Sequence, residues 1–169
     1  MFRIATFALY VLAFQAFAVE PAPEIQRPAA APQAPGLVHT VRTIPEACVR
    51  LEGTFVADAT APYLLKPIRT SVNCQPRARF VDAQTAGPSV ATGWILNDTI
   101  RVPNKACATQ QAVTHVWRKP AAAATPPAED AQGRARIFLQ DAKTTSGIGT
   151  LHPIAQFTAS LSMAGRSCQ

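Results

Sequence analysis

The residue type best suited to acid–base or metal chemistry is histidine, and its spacing in this chain favours neither. His39, His115 in Thr-His-Val-Trp and His152 in Leu-His-Pro are too widely separated to form the ligand pair that one helix or loop offers a metal. His115 shares strand parity with Val113 and Trp117, which predicts a packed, hydrogen-bonded ring. His152 precedes a proline and reads as part of an extended turn. The acids Glu46, Glu52, Asp58, Asp82, Asp98 and Asp141 are scattered, so no carboxylate pair announces a shared cleft for glycoside hydrolysis. The chain has no G-x-S-x-G elbow, H-E-x-x-H helix or phosphate-binding Walker loop. Residues 144–150, TTSGIGT, have the glycines and hydroxyls of an anion-binding nest, but a glycine connection between strands accounts for them more simply. No metal or cofactor is predicted, and no catalytic residue is assigned.

The residues that do suggest a surface are Arg77, Arg79, Arg101, Arg134 and Arg136, together with Trp94 and also Trp117. Arginine and tryptophan both present large planar faces at small entropic cost, which makes them common in adhesive patches. An anionic ligand is the expectation, and the plainer account is a set of solvated strand faces. The formal net charge of +6 agrees with attraction to an anionic surface and equally with a solubility device.

Four cysteines, Cys48, Cys74, Cys107 and Cys168, lack the paired C-x-x-C knuckles of a zinc site. An even number in an exported chain predicts two disulfides. Three pairings are open, and Cys48 with Cys74 and Cys107 with Cys168 is preferred because each bridge then closes a separate half of the domain.

The elements that must position these residues are strands. Alternation is clear in Val49, Leu51, Gly53 and Phe55 against Arg50, Glu52 and Thr54, and in Phe157, Ala159, Leu161 and Met163 against Thr158, Ser160 and Ser162. On that parity Cys48 falls with the polar set, which predicts a bridge at an edge or outer surface. GWILNDTIRV predicts a hairpin turning at Asn97-Asp98, with Trp94 facing Arg101 across it as a cation–π pair. Further strands are expected at 38–43, 64–72, 79–83, 113–118 and 136–140. The total is about eight short strands, which predicts an all-β fold, a small β-sandwich or partly closed barrel.

The domain is preceded by two other segments. Residues 1–18 carry a basic residue, an apolar run and an A-x-A ending at Ala18, the layout of a secretory signal peptide too short for the roughly 20 apolar residues of a membrane span. Residues 19–36 hold prolines at 21, 23, 28, 32 and 35 and are expected to be a disordered Pro/Ala-rich linker. Residues 37–169 then form a single disulfide-stapled β domain with a long loop at 119–134. The reading is an exported protein, periplasmic or extracellular, with no transmembrane span once the signal is removed. It is a non-enzymatic binding or structural module contacting an anionic envelope component or a protein partner, with nucleic acid disfavoured. A secreted hydrolase inhibitor and a small histidine-dependent hydrolase are the alternatives.

Overall fold

The computed structural model describes residues 21–121 and 154–168. The expected signal peptide, the strand at 136–140, the 144–150 stretch and nearly all of the 119–134 loop lie outside these residues, as do Arg134, Arg136 and His152. Among the described residues no helix is long and apolar enough to cross a membrane.

The described chain is mostly β and forms two sheets. Strands β1 (His39–Ile44), β2 (Val49–Phe55) and β3 (Tyr63–Arg69) make an antiparallel sheet in the order β1-β2-β3. Strands β4 (Ala78–Phe80), β5 (Ile95–Asn104), β6 (Cys107–Lys119) and β7 (Ala155–Gly165) make a second sheet in the order β4-β7-β6-β5. Only the β4–β7 pair is parallel. A common core takes Val41, Ile44, Leu51, Phe55 and Tyr63 from the first sheet and Ile100, Val102, Ala112, Val116 and Phe157 from the second. Apolar residues at alternate positions of both sheets thus share one core. Seven strands are described, against about eight expected. The second sheet is buried on its other face too, at Trp94, Leu96, Val113 and Thr158.

The alternation of β2 is as read, with Leu51, Gly53 and Phe55 buried. Gly53 is required there: a Cβ would fall 1.8 Å from the hydroxyl of Tyr63. In β7 the pattern holds for Phe157 and for Ala159, which packs against the core, but not for Leu161 and Met163, which remain more than a third exposed. Cys48 is buried, not at an outer surface, and closes the 3-10 turn Pro45–Ala47 in a left-handed conformation (φ 55°). The disulfides join Cys48 to Cys74 and Cys107 to Cys168.

The expected hairpin at Asn97-Asp98 is corrected. Strand β5 runs straight through these residues, and the true reversal lies between Asn104 and Cys107, where the Asn104 side chain accepts a 3.0 Å hydrogen bond from the Ala106 amide. Asn97 is instead the extra residue of a β-bulge, since Leu96 faces Trp117 and Asp98 faces Val116. Trp117 and Val116 are neighbours on opposite faces of β6, so the bulge sends Leu96 to one face and Asp98 to the other. A turn would have left Asp98 in water. It is fully buried, with Arg27 at 3.1 Å and 2.8 Å and Arg42 Nε at 3.2 Å from its carboxylate, the last a charge contact and not an aligned hydrogen bond.

Residues 21–36 also differ from the disordered linker expected. They are extended, as proline dictates, but they lie along the outer edge of β5. The amides of Glu24, Ile25, Ala30 and Gln33 donate to the carbonyls of Leu96, Asn97, Arg101 and Pro103 at 2.8–2.9 Å, and Lys105 donates back to Gln33 at 2.8 Å. The physical reason is that β5 is an edge strand whose outward carbonyls need donors, and the residues between the prolines supply them. Arg27 to Asp98 and Glu24 to Arg118 fasten this strap. Asp98→Ala should lower the unfolding free energy by about 3 kcal/mol, because it leaves Arg42 in the interior without a counter-charge. Arg27→Ala, which removes the more exposed partner, should cost about 1 kcal/mol or less. Urea denaturation of the two variants beside the wild type measures both.

Candidate functional site

The sheet order separates the residues expected to form one arginine–aromatic patch. Arg79 lies on β4 and Arg101 on β5, the opposite edges of the four-stranded sheet. Arg77 precedes β4, exposed, with its amide donating to the Glu46 carbonyl at 2.7 Å. Trp94 is 3% exposed, and the cation over its ring is Lys119, at 5.9 Å from the ring centre, in place of Arg101. With no turn at 97–98, Trp94 and Arg101 follow one line of chain and stand roughly 20 Å apart. Trp117 is half-buried opposite Leu96 and Thr158. Compared with family models, curated proteins and solved structures, the chain matches none.

Three clefts among the described residues are candidates. One of about 460 Å³ beside the Cys107–Cys168 bridge is lined by Asp58, Asn104 and Gln110. Several of its polar groups are engaged within the protein: Asn104 donates to Gln110 at 2.9 Å, and the hydroxyl and amide of Thr60 with the Ala61 amide hold the Asp58 carboxyl below its ordinary pKa. A second, of about 350 Å³, lies between the strap and β5, with Arg27 committed to Asp98.

The third cleft, of about 320 Å³, is the candidate site. It lies between β4 and the β2–β3 pair and is lined by Val49, Pro67, Ile68, Arg69, Arg79 and Phe80, close to the Cys48–Cys74 bridge. One wall is held rigid. The bridge fixes Cys48 to the 70–74 loop, and the Arg69 guanidinium donates to the carbonyls of Ser71, Val72 and Cys74 at 2.9, 3.2 and 2.9 Å. The Thr70 amide donates to Cys48 at 3.0 Å. That bond fixes which β3 residues face β2, and by alternation Pro67 turns its donor-less nitrogen to the open side, the position in which an edge strand tolerates proline. The edge therefore resists strand addition at its centre, and the cleft offers side chains: an apolar floor with the exposed guanidinium of Arg79, which has no ion-pair partner among the described residues.

Sequence reasoning missed a pair at the other end of β3. Tyr63, 3% exposed, lies against Phe55 in an edge-on ring contact at 4.7 Å, and its hydroxyl donates to His39 Nε2 at 2.8 Å. His39 Nδ1 faces the Leu37 carbonyl at 3.4 Å, so the neutral ring with its proton on Nδ1 satisfies both contacts. Burial pushes the Tyr63 hydroxyl well above the ordinary tyrosine range, and burial lowers the His39 pKa, the Leu37 carbonyl opposing it more weakly. The pair is thus held neutral and fills the space that Gly53 leaves. The small residue on a core parity was the available signal. Because His39 takes a proton less readily folded than unfolded, the unfolded chain binds more protons between its folded pKa and the ordinary value of 6.5. Stability should be complete above pH 6.5 and fall as the pH drops through that window. Urea midpoints measured across it should show a positive slope that His39→Gln flattens.

Proposed function

We propose that the chain is an exported, non-enzymatic binding module whose working surface is the cleft between β3 and β4, and that it takes an anionic partner with an apolar portion. The observation that carries this reading is the exposed, unpaired Arg79 beside Pro67, Ile68 and Phe80, on a wall braced by a disulfide and by Arg69. Bracing matters because a pre-formed site spends little of its interaction energy on ordering itself. Two disulfides support an oxidising compartment. The His39–Tyr63 pair supports a structural role for His39, since its hydroxyl partner is enclosed by Phe55 and Gly53.

The test uses laurate, which joins a carboxylate to an alkyl chain of a size suited to the cleft. Titrated into the protein and followed by amide chemical shifts, laurate should perturb residues 47–49, 67–69 and 78–80, and dodecylamine should not. Arg79→Gln should weaken binding roughly fivefold, in keeping with loss of one exposed charge contact, and should alter stability by under about 0.5 kcal/mol. Arg101→Gln, on the opposite edge, should leave the affinity unchanged, and added salt should weaken the wild type more than Arg79→Gln. Perturbations mapping elsewhere, or an Arg79→Gln protein that binds as the wild type does, would overturn the reading.

A further inference from the structure

The strap is fastened without being part of the core. None of residues 21–36 belongs to the hydrophobic cluster; the strap is held by backbone hydrogen bonds to β5, the Gln33–Lys105 exchange, the Arg27–Asp98 pair and the Glu24–Arg118 pair. Segments bonded in this way, with little apolar burial, open at the low end of a protein's range of local stabilities. The strap joins the domain through a tight turn in which the Leu37 amide donates to Ala34 at 3.3 Å, Pro35 precedes Gly36, and Gly36 has φ of +79°. Only this turn folds the strap back. Pro35 and Gly36 are exposed, so straightening them gives up mainly two backbone bonds, Leu37 to Ala34 and the 2.8 Å bond from the Gly36 amide to the Phe55 carbonyl.

Release exposes a specific vacancy. The carbonyls of Leu96, Asn97, Arg101 and Pro103 lose their donors, Asp98 loses the nearer of its two arginines, and Arg118 loses Glu24. An unpaired edge of this length is a template for another extended segment. What fits it must supply amides at matching intervals, an arginine aligned with Asp98 and an acid aligned with Arg118. The strap of another molecule has all three in register.

We infer that the β5 edge is an interaction surface for a second copy of this chain, on which the strap of one molecule replaces that of the other by reciprocal exchange. This rests on the strap and β5, and stands apart from the cleft between β3 and β4. The exchange moves Arg27 from the Asp98 of its own molecule to that of the partner and preserves every strap contact with β5, so its free energy is set by the turn at 34–37, with its Gly36–Phe55 bond, and by protein concentration.

The experiment mixes two full-length proteins, one carrying Gln33→Cys and the other Lys105→Cys, in mild denaturant before return to buffer under gentle oxidation. A single chain carrying both substitutions is the control for geometry, since the Lys105 amide lies 2.8 Å from the Gln33 carbonyl, and it should close an internal bridge. The mixture should yield a heterodimer whose bridge maps by peptide analysis to positions 33 and 105, increasing with concentration. Gln84→Cys, placed on the exposed face of the short helix Ala83–Ala86, should give no such heterodimer in place of Lys105→Cys. A mixture that stays monomeric while the double variant closes would overturn the inference. So would a double variant that fails to close, because the strap would then not be seated on β5, and so would equal bridging to the Gln84→Cys control. A heterodimer bridged by a partner segment other than the strap would point to a different occupant and also count against it.

Discussion

A carboxylate in a protein interior is tolerable only with cations beside it, and the arrangement of this molecule follows from meeting that demand at Asp98. Its two arginines come from different places, Arg42 from the three-stranded sheet and Arg27 from the strap. One side chain therefore connects the strap and both sheets. Both members of the inter-sheet pair follow a β-bulge. In β1 the register passes from Thr40 opposite Glu52 to Arg42 opposite Leu51, leaving Val41 as the extra residue. Without it Arg42 would face Arg50 on the solvent side. In β5 the extra residue is Asn97, and in an unbroken register Asp98 would share a face with Leu96. Two irregularities in separate strands thus turn one pair of charges inward to meet, which is what bulges do where a side chain must be re-aimed.

Around that point the corners of the two sheets are closed covalently. The Cys48–Cys74 bridge joins the start of β2 to the loop after β3, and the Cys107–Cys168 bridge ties the start of β6 to the segment following β7. The first does more than restrain the unfolded chain. It holds Cys48 in a left-handed conformation, unusual for a residue with a Cβ, and so sets where β2 begins relative to the turn at Pro45–Ala47. The wall of the β3–β4 cleft inherits its shape from this corner, with Arg69 binding three carbonyls of the same loop. Arg69 and Arg79 look alike in the sequence, yet one is spent on the scaffold and the other is left for solvent or a ligand.

What could be read from the sequence followed the period-2 rule. Where that rule held, in β2, the element and its buried face were legible; for β1 and β3 only the approximate ranges were. It failed at Asn97-Asp98, because residues that tolerate a turn also tolerate a bulge, and only the partner strand decides which forms. An acid inside an otherwise apolar run was the clue to a buried charge. The length of β6 was hidden for a related reason: its first turn of chain, Cys107 to Gln111, is polar in type, and it becomes strand through pairing with β5 and β7 and through the Asn104–Gln110 bond. The cleft was partly legible, since Arg79 stood out, but its neighbours come from strands far apart in sequence. The expected patch assumed that arginines on strands share a face, and sheet order placed two of them on opposite edges.

The strap shows how composition can mislead and still carry the reason for its structure. Prolines at 21, 23, 28, 32 and 35 rule out a strand paired on both sides, and disorder is the ordinary inference from such a run. A segment paired on one side needs donors only at intervals, and Glu24, Ile25, Ala30 and Gln33 provide them. On its outer side the same prolines leave gaps in the row of amides, so the strap is a poor template for a further strand. The segment therefore covers an edge without creating a new one. That asymmetry bears on exchange between molecules too: a strap seated on a neighbour's β5 offers no new edge of its own, and reciprocity is what closes the exchange on two copies, each released strap taking the β5 that its partner has vacated.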